Sequence, residues 1–278
     1  LSVGMVNALG RLGASQPYST FTPDLAVQLE KLGYGALWGG GSPDADLSLV
    51  EPLLDATDHL VVATGIVNMW KDDAAPVAES YHRIVAKHPG RFLLGVGIGH
   101  PEATKEYQKP YDKMVEYLDQ LDEAGVPVAD RALAALGPKV LKLAGDRTAG
   151  AHPAMVTPEH TRQARALLGE GPLLAPAHPV VLEPDAAKAR AIAHEAIRNM
   201  LNLSNHRNSW RRLAFTDEDF ANGGSDRLVD AVVAGGTPDV IAARLTEHLD
   251  AGATHVVVLS LGDDPLAAFR AVAQVLLS

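Results

Sequence analysis

The chain predicts a single α/β domain, residues 1–278, closed as a (β/α)8 barrel, and three observations carry that reading. Apolar runs of strand length alternate with amphipathic runs of helix length from end to end, the pattern of parallel sheets. The apolar runs count to eight. They are apolar at successive positions, as strands are when one face lines a barrel interior and the other meets a layer of helices.

In order, strands are expected over residues 2–6 (SVGMV), 34–38 (YGALW), 60–67 (LVVATGIV), 91–98 (RFLLGVGI) and 131–136 (RALAAL). The last three are a weak 154–156 (AMV), then 179–182 (PVVL, with PLLAPA before it) and 255–261 (HVVVLSL). Helix boundaries are equally readable. Thr22 is placed as an N-cap, Pro23 takes the first helical position, and Gly33 closes the helix. Thr157 and Thr237 repeat the Thr-Pro-acid formula. Residues 185–235 show no strand pattern. Their break, NLSNHRNSW, and the capped restart TDEDF predict a helical insertion between the seventh and eighth strands.

Composition narrows the chemistry. With 278 residues, 47% hydrophobic and 21% charged, the chain can bury a large core as one domain. Cysteine is absent, which removes disulfides, thiolate metal sites and cysteine nucleophiles and suits a cytoplasmic home. No apolar stretch reaches the about 18 residues of a membrane span. The start, LSVGMVNALG, reads as a strand and lacks the basic leader of a signal peptide. A formal net charge of −10 argues against nucleic acid as a partner. A small molecule remains, and any anionic part of it must be held by local donors.

In such barrels, chemistry sits just beyond the C-terminal ends of the strands. The residues falling there are Asn7, Trp38 with its following glycines, Asn68, Trp70, Gly99, His100, Glu102, Gly137, Pro138 and Lys139. His152 and His178 lie at the sixth and seventh strands. Glycine, amide, indole and imidazole dominate over paired carboxylates, a set that suits a flat aromatic cofactor better than hydrolysis. LGVGIGHPE, residues 94–102, is spaced G-x-G-x-G and fails the dinucleotide fingerprint; its glycines equally fit a crowded barrel mouth. His100, beyond a strand end, is the candidate acid or base. The histidines on helices, His82, His88, His160, His194, His206 and His248, read as surface or structural groups. No metal-ligand spacing is present. Lys139, in the first turn of a helix after Gly-Pro, fits an anion site or an ordinary helix start.

LGYGALWGGGS, LVVATGIVNMW, HPGRFLLGVGIGH, LAALGPKVLKLAGDRTAGAHP, VTPEHTRQARALLG and AGATHVVVLSL together resemble the bacterial luciferase-like superfamily. Within it they are most similar to the actinobacterial-type oxidoreductases that use the deazaflavin coenzyme F420. The resemblance implies a TIM barrel, often a homodimer, that binds the coenzyme at its C-terminal mouth and moves hydride to or from the ring carbon. It further implies a cis peptide at Gly65–Ile66, in a bulge backing one ring face. Carried over by position, Gly65, Ile66 and Asn68 contact the ring, Gly97, Ile98, Gly99 and His100 line its edge, and Gly137, Pro138 and Lys139 meet the phosphate. Trp38, Trp70 and His178 are expected to shape the substrate pocket. His100 stands where some relatives carry an acidic residue. Two alternatives stay open: an FMN-dependent monooxygenase of the same superfamily, and a non-catalytic carrier of the coenzyme or another ligand.

Overall fold

The computed structural model describes residues 3–107 and 109–278. A short helix α1 (Val3–Ala8) precedes β1 (Leu12–Pro17), α2 (Pro23–Leu32), β2 (Ala36–Gly40), α3 (Val50–Asp55), β3 (Val61–Thr64) and β4 (Val67–Asn68). Then come α4 (Ala74–Lys87), β5 (Phe92–Gly97), α5 (Pro110–Glu123), β6 (Arg131–Leu133), α6 (Pro138–Arg147), β7 (Gly150–Ala151) and α7 (Pro158–Leu168). The remainder is β8 (Leu173–Leu174), β9 (Ala177–Leu182), α8 (Ala186–Ile197), α9 (Ser204–Arg212), α10 (Asp217–Phe220), α11 (Asp226–Val232), β10 (Ala234–Gly236), α12 (Pro238–Asp250), β11 (Val256–Ser260) and α13 (Pro265–Leu276).

The result is an α/β fold on a curled parallel sheet, ordered β10-β9-β11-β1-β2-β3-β5-β6-β7-β8, with β4 pairing β5. Residues 173–182 touch strands on both sides of the curl. Ala175 N donates to Ala151 O on one side, and Val257 N donates to Pro176 O on the other, each at 2.9 Å. The sheet buries two cores. An outer one packs its convex face against the helices, and an inner one gathers Ala36, Trp38, Val61, Ala63, Leu93 and Val257 inside the curl. A third cluster, centred on Trp210, packs α8, α9 and α11 together.

Local chemistry sets the helix ends. Thr22, Thr157 and Thr237 each accept the backbone N–H three residues on. Gly33 closes α2 at φ 97°, a left-handed conformation natural only to glycine.

Three strand assignments need correction. Residues 3–6 of the expected first strand belong to helix α1, and Ser2 lies outside the described residues. Met5 and Leu9 of this segment join the inner core, so the apolar run plugs the curl rather than building it. The true first strand, LGASQP, was hidden because its inward positions are small or polar. At Gly13 a Cβ would stand 2.4 Å from His255 Nε2. The sixth strand is Gly150–Ala151, upstream of 154–156, where only Ala154 forms a bridge, to Ala177. At Gly150 a Cβ would lie 1.9 Å from Leu173 O, so close backbone contact replaces the β-branched residues that normally mark a strand. Finally, the stretch 185–235 expected to be strand-free runs into β10, which pairs Ala234 with Val180.

Candidate functional site

At the C-terminal rim a cavity of about 440 Å³ opens between the strand ends and the helices α5, α6 and α9. Its wall begins with Gly65 and Ile66, which follow β3; the peptide joining them is cis. Behind them β3 and β5 are tied closely. Thr64 Oγ1 donates to Gly95 O at 2.8 Å and accepts from Gly95 N at 2.9 Å. A Cβ on Gly95 would fall 1.8 Å from Thr64 O, so only glycine permits this approach.

Ile98, Gly99 and His100 continue the wall beyond β5, and Gly137 and Lys139 line it beyond β6. Gly97 and Asn68 stand behind that surface. A Cβ on Gly97 would press on Ile66 and Ala134, while one on Gly99 would lie 2.8 Å from Asn68 Nδ2. Asn68 Oδ1 accepts the Trp70 N–H at 2.9 Å. Pro138 is the first residue of α6 and lies outside the lining. The structure thus gathers seven of the expected residues at the cavity: Gly65, Ile66, Ile98, Gly99, His100, Gly137 and Lys139.

The three residues expected in the substrate pocket lie elsewhere. Trp38 is buried in the inner core, where its Nε1–H donates to His255 Nε2 at 3.0 Å. Trp70 packs on the outer core, 5.9 Å from the Tyr107 ring and under the Lys113 ammonium. His178 is fully buried against α12, with Nδ1 2.9 Å from His248 Nε2. A large aromatic in a sequence does not say which side of its strand it occupies.

Sequence reasoning missed the lid of the cavity. Helix α9 brings Asn205, His206, Asn208 and Arg212 to it, latched over the β5 loop by three hydrogen bonds. Ser204 N donates to Glu102 Oε1 at 2.8 Å, and Asn205 Nδ2 donates to Gly99 O and Tyr107 Oη, each at 3.2 Å. The only signal was the cluster of amides and imidazole in NLSNHRNSW, which marks a break without naming its partner.

Two imidazoles meet under this lid. The rings of His100 and His206 are 5.0 Å apart, and Nδ1 of each is buried without a partner among the described residues. Burial lowers the pKa of His100, with nearby Glu102 opposing the shift. Burial, then the adjacent His100, pushes His206 down to about 4. His206 is held by stacking on Trp210, whose Nε1–H donates to Met155 O at 2.9 Å.

Another part of the lining is cationic. Gly137 starts α6 with no side-chain cap, leaving the first N–H groups of a ten-residue helix available. Lys139 Nζ sits 3.8 Å over the Tyr111 ring. The Arg212 guanidinium lies against Gly137, 3.3 Å from where a Cβ would be, and although the residue as a whole is exposed, partial desolvation at that contact lowers its pKa. Among the described residues, no group of three or more His, Asp and Glu gathers as a metal would require.

Residues 5–125 match the model of the luciferase-like monooxygenases. Over that stretch the chain is similar to that family. No curated protein sequence matches this chain, but solved structures share its fold over almost its whole length. An F420-dependent secondary alcohol dehydrogenase, in complex with an F420–acetone adduct, superposes with a TM-score of 0.74 at 14% identity, covering 96% of this chain and 98% of that one. The coenzyme F420-dependent tetrahydromethanopterin reductase of Methanopyrus kandleri gives 0.66 at 18% identity, over 95% and 97%. The oxygenating constituent of 3,6-diketocamphane monooxygenase from Pseudomonas putida, in complex with FMN, gives 0.64 at 16% identity, over 95% and 97%. At such identities the likeness is one of fold. Among these neighbours are F420-dependent enzymes and one in complex with FMN, so the shared fold does not choose between the two rings. No helix among the described residues is long and apolar enough to cross a membrane.

Proposed function

We propose that this protein is an oxidoreductase that transfers a hydride between the deazaflavin coenzyme F420 and a small organic substrate. One observation carries the reading: the rim cavity is a glycine-walled, largely apolar slot whose lining holds a cationic helix start together with two imidazoles that keep open hydrogen-bonding capacity. Glycines let a planar ring lie against backbone, and the few polar groups orient it. The volume and chemistry fit a heterocycle bearing a phosphorylated tail.

Gly65, Ile66 and the strand end through Gly99 would back the ring, with Asn68 and Gly97 supporting that wall. Gly137, Pro138 and Lys139, joined by Arg212, would hold the phosphate. When bound, the coenzyme supplies a ring carbon that gives or takes hydride. His100 would move the accompanying proton at the substrate, and the α9 lid would keep water from the reacting atoms. Trp38, Trp70 and His178 act from behind this arrangement. The helices of 185–235 are best read as an insertion in one barrel domain that supplies the lid, and the assembly as a homodimer.

FMN is the second reading, favoured by the family's monooxygenase members and by the FMN-bound neighbour. Fluorescence titration of the purified protein with F420 and with FMN separates the two. Saturable binding of F420 at least tenfold tighter than FMN supports the proposal. The reverse ratio selects the monooxygenase, and binding of neither ring overturns both. Tight F420 binding with no turnover across a broad substrate panel selects the carrier.

A further inference from the structure

On the floor of the cavity, beneath Gly65, lies an imidazole to which the reading above gives no role. His152 is buried and lines the cavity with one edge. Its Nδ1 is 2.7 Å from Ala175 O. A carbonyl oxygen only accepts, so Nδ1 carries the hydrogen and Nε2 is left as a bare acceptor. That Nε2 has no hydrogen-bond partner among the described residues and lies 3.1 Å from the position a Cβ on Gly65 would occupy. Any side chain at 65 would cover it.

The ring is held from every side. Trp38 stacks on it with centroids 4.2 Å apart and planes 16° from parallel. Trp38 is in turn fixed by its hydrogen bond to His255 Nε2, and His255 Nδ1 is 2.9 Å from Gly10 O. By the same logic His255 donates from Nδ1 and accepts at Nε2. Two backbone carbonyls and one indole therefore dictate the tautomers of both buried imidazoles. Burial pushes each down to about 4, so both stay neutral near pH 7. The groups facing His152 are Trp38, His255, Gly65 and Ala175, with no acid or cationic side chain among them.

We propose that His152 is the positioning residue that accepts a hydrogen bond from a ring N–H of the bound heterocycle, fixing how deep the ring sits against the Gly65–Ile66 wall. This rests on the functional reading above. It narrows the ligand to planar rings that offer an N–H donor at the buried edge, as the imide of flavins and deazaflavins does. It also assigns Trp38 a purpose: holding the acceptor in place rather than touching substrate.

The test uses the full chain labelled with ¹⁵N-histidine, free and then saturated with F420 or FMN, with saturation followed separately by cofactor fluorescence. The free protein should show His152 Nε2 as an unprotonated, pyridine-type nitrogen. Saturation should move that resonance toward the hydrogen-bonded range while His255 stays put. A protonated Nε2 in the free protein, or an unmoved resonance at full saturation, overturns the inference and leaves the functional reading standing. Failure of either ring to bind overturns the functional reading itself, and the inference with it. His152→Phe, which keeps a stacked ring and loses the acceptor, should bind the cofactor about tenfold more weakly. His152→Gln, which restores a carbonyl acceptor, should recover part of that loss, and both variants should keep the wild-type near-ultraviolet spectrum. Equal affinity in wild type and His152→Phe also overturns the inference.

Discussion

Two groups of buried or half-buried histidines in this molecule differ in one respect. Behind the sheet, His178 and His248 use their nitrogens on protein. His178 Nδ1 and His248 Nε2 share a hydrogen at 2.9 Å, His248 Nδ1 meets Thr161 Oγ1 at 2.8 Å, and Arg244 approaches His178 Nε2 at 3.5 Å. At the rim, His100, His152 and His206 each leave a nitrogen without a protein partner among the described residues. Burial disfavours the charged form of both groups alike. The pKa therefore does not tell them apart. What separates them is whether the protein itself consumes the hydrogen-bonding capacity, since a buried polar group left open costs about 1–3 kcal/mol unless a ligand completes it. One set is finished structure, the other waits for a partner.

The largest expected effect tests what the groups share. His152, His206 and His255 titrate at about 4 and His248 at about 3 in the folded chain, against about 6.5 when unfolded. Between those values the unfolded chain binds more protons, so stability is complete above pH about 6.5 and falls as pH drops toward 4. Each pKa unit is worth about 1.4 kcal/mol, so several kcal/mol should be lost in sum. Calorimetry from pH 7.5 down to 4.5 checks this, and a flat melting temperature across that window would refute it.

Next come two substitutions that should separate the groups. His178→Ala removes a fully buried ring and strands His248, so stability should fall by about 3 kcal/mol with cofactor affinity unchanged; urea melts and fluorescence titration read the two quantities. His100→Ala should do the opposite. Its melt should stay within about 1 kcal/mol of wild type, while kcat with a turned-over substrate falls about a hundredfold. If His178→Ala instead weakened cofactor binding, the division between finished and open histidines would fail.

The sequence made part of this visible, and the reasons are physical. Helix starts at Thr22, Thr157 and Thr237 were legible because capping is a local exchange between a side chain and the backbone three residues on. Gly95 and Gly97 were legible as a feature of the strand, but the sequence left open whether they serve a ligand or a crowded barrel mouth, and in the structure a Cβ on Gly95 would lie 1.8 Å from Thr64 O. β1 was not, because LGASQP faces the inner core with Gly13 and Ser15, small residues chosen by neighbours far away in sequence such as His255. His206 was not, because its meeting with His100 depends on how α9 crosses the β5 loop, and no spacing records that. Trp38 was placed on the correct strand, and the structure seats it in the inner core, outside the cavity lining. Indole suits a substrate pocket and an inner core equally well until its Nε1–H finds His255.

The smallest expected effect concerns the cationic part of the lining. Lys139 and Arg212 are exposed at the rim, so solvent and salt weaken what either contributes. Arg212 has the better geometry, lying flat against Gly137 at the start of α6, where it and the free N–H groups would address one phosphate together. Arg212→Ala should weaken binding of FMN about fivefold to tenfold and leave riboflavin, which lacks the phosphate, unaffected. The FMN difference should shrink as salt is raised from low to near 0.5 M, while the His152→Phe deficit, arising from a neutral hydrogen bond in a buried floor, should not respond. Equal losses for FMN and riboflavin would mean that Arg212 merely holds the lid. In that case the phosphate would be left to the helix start and Lys139, and the two parts of the cavity would no longer divide the labour of charge and ring recognition between them.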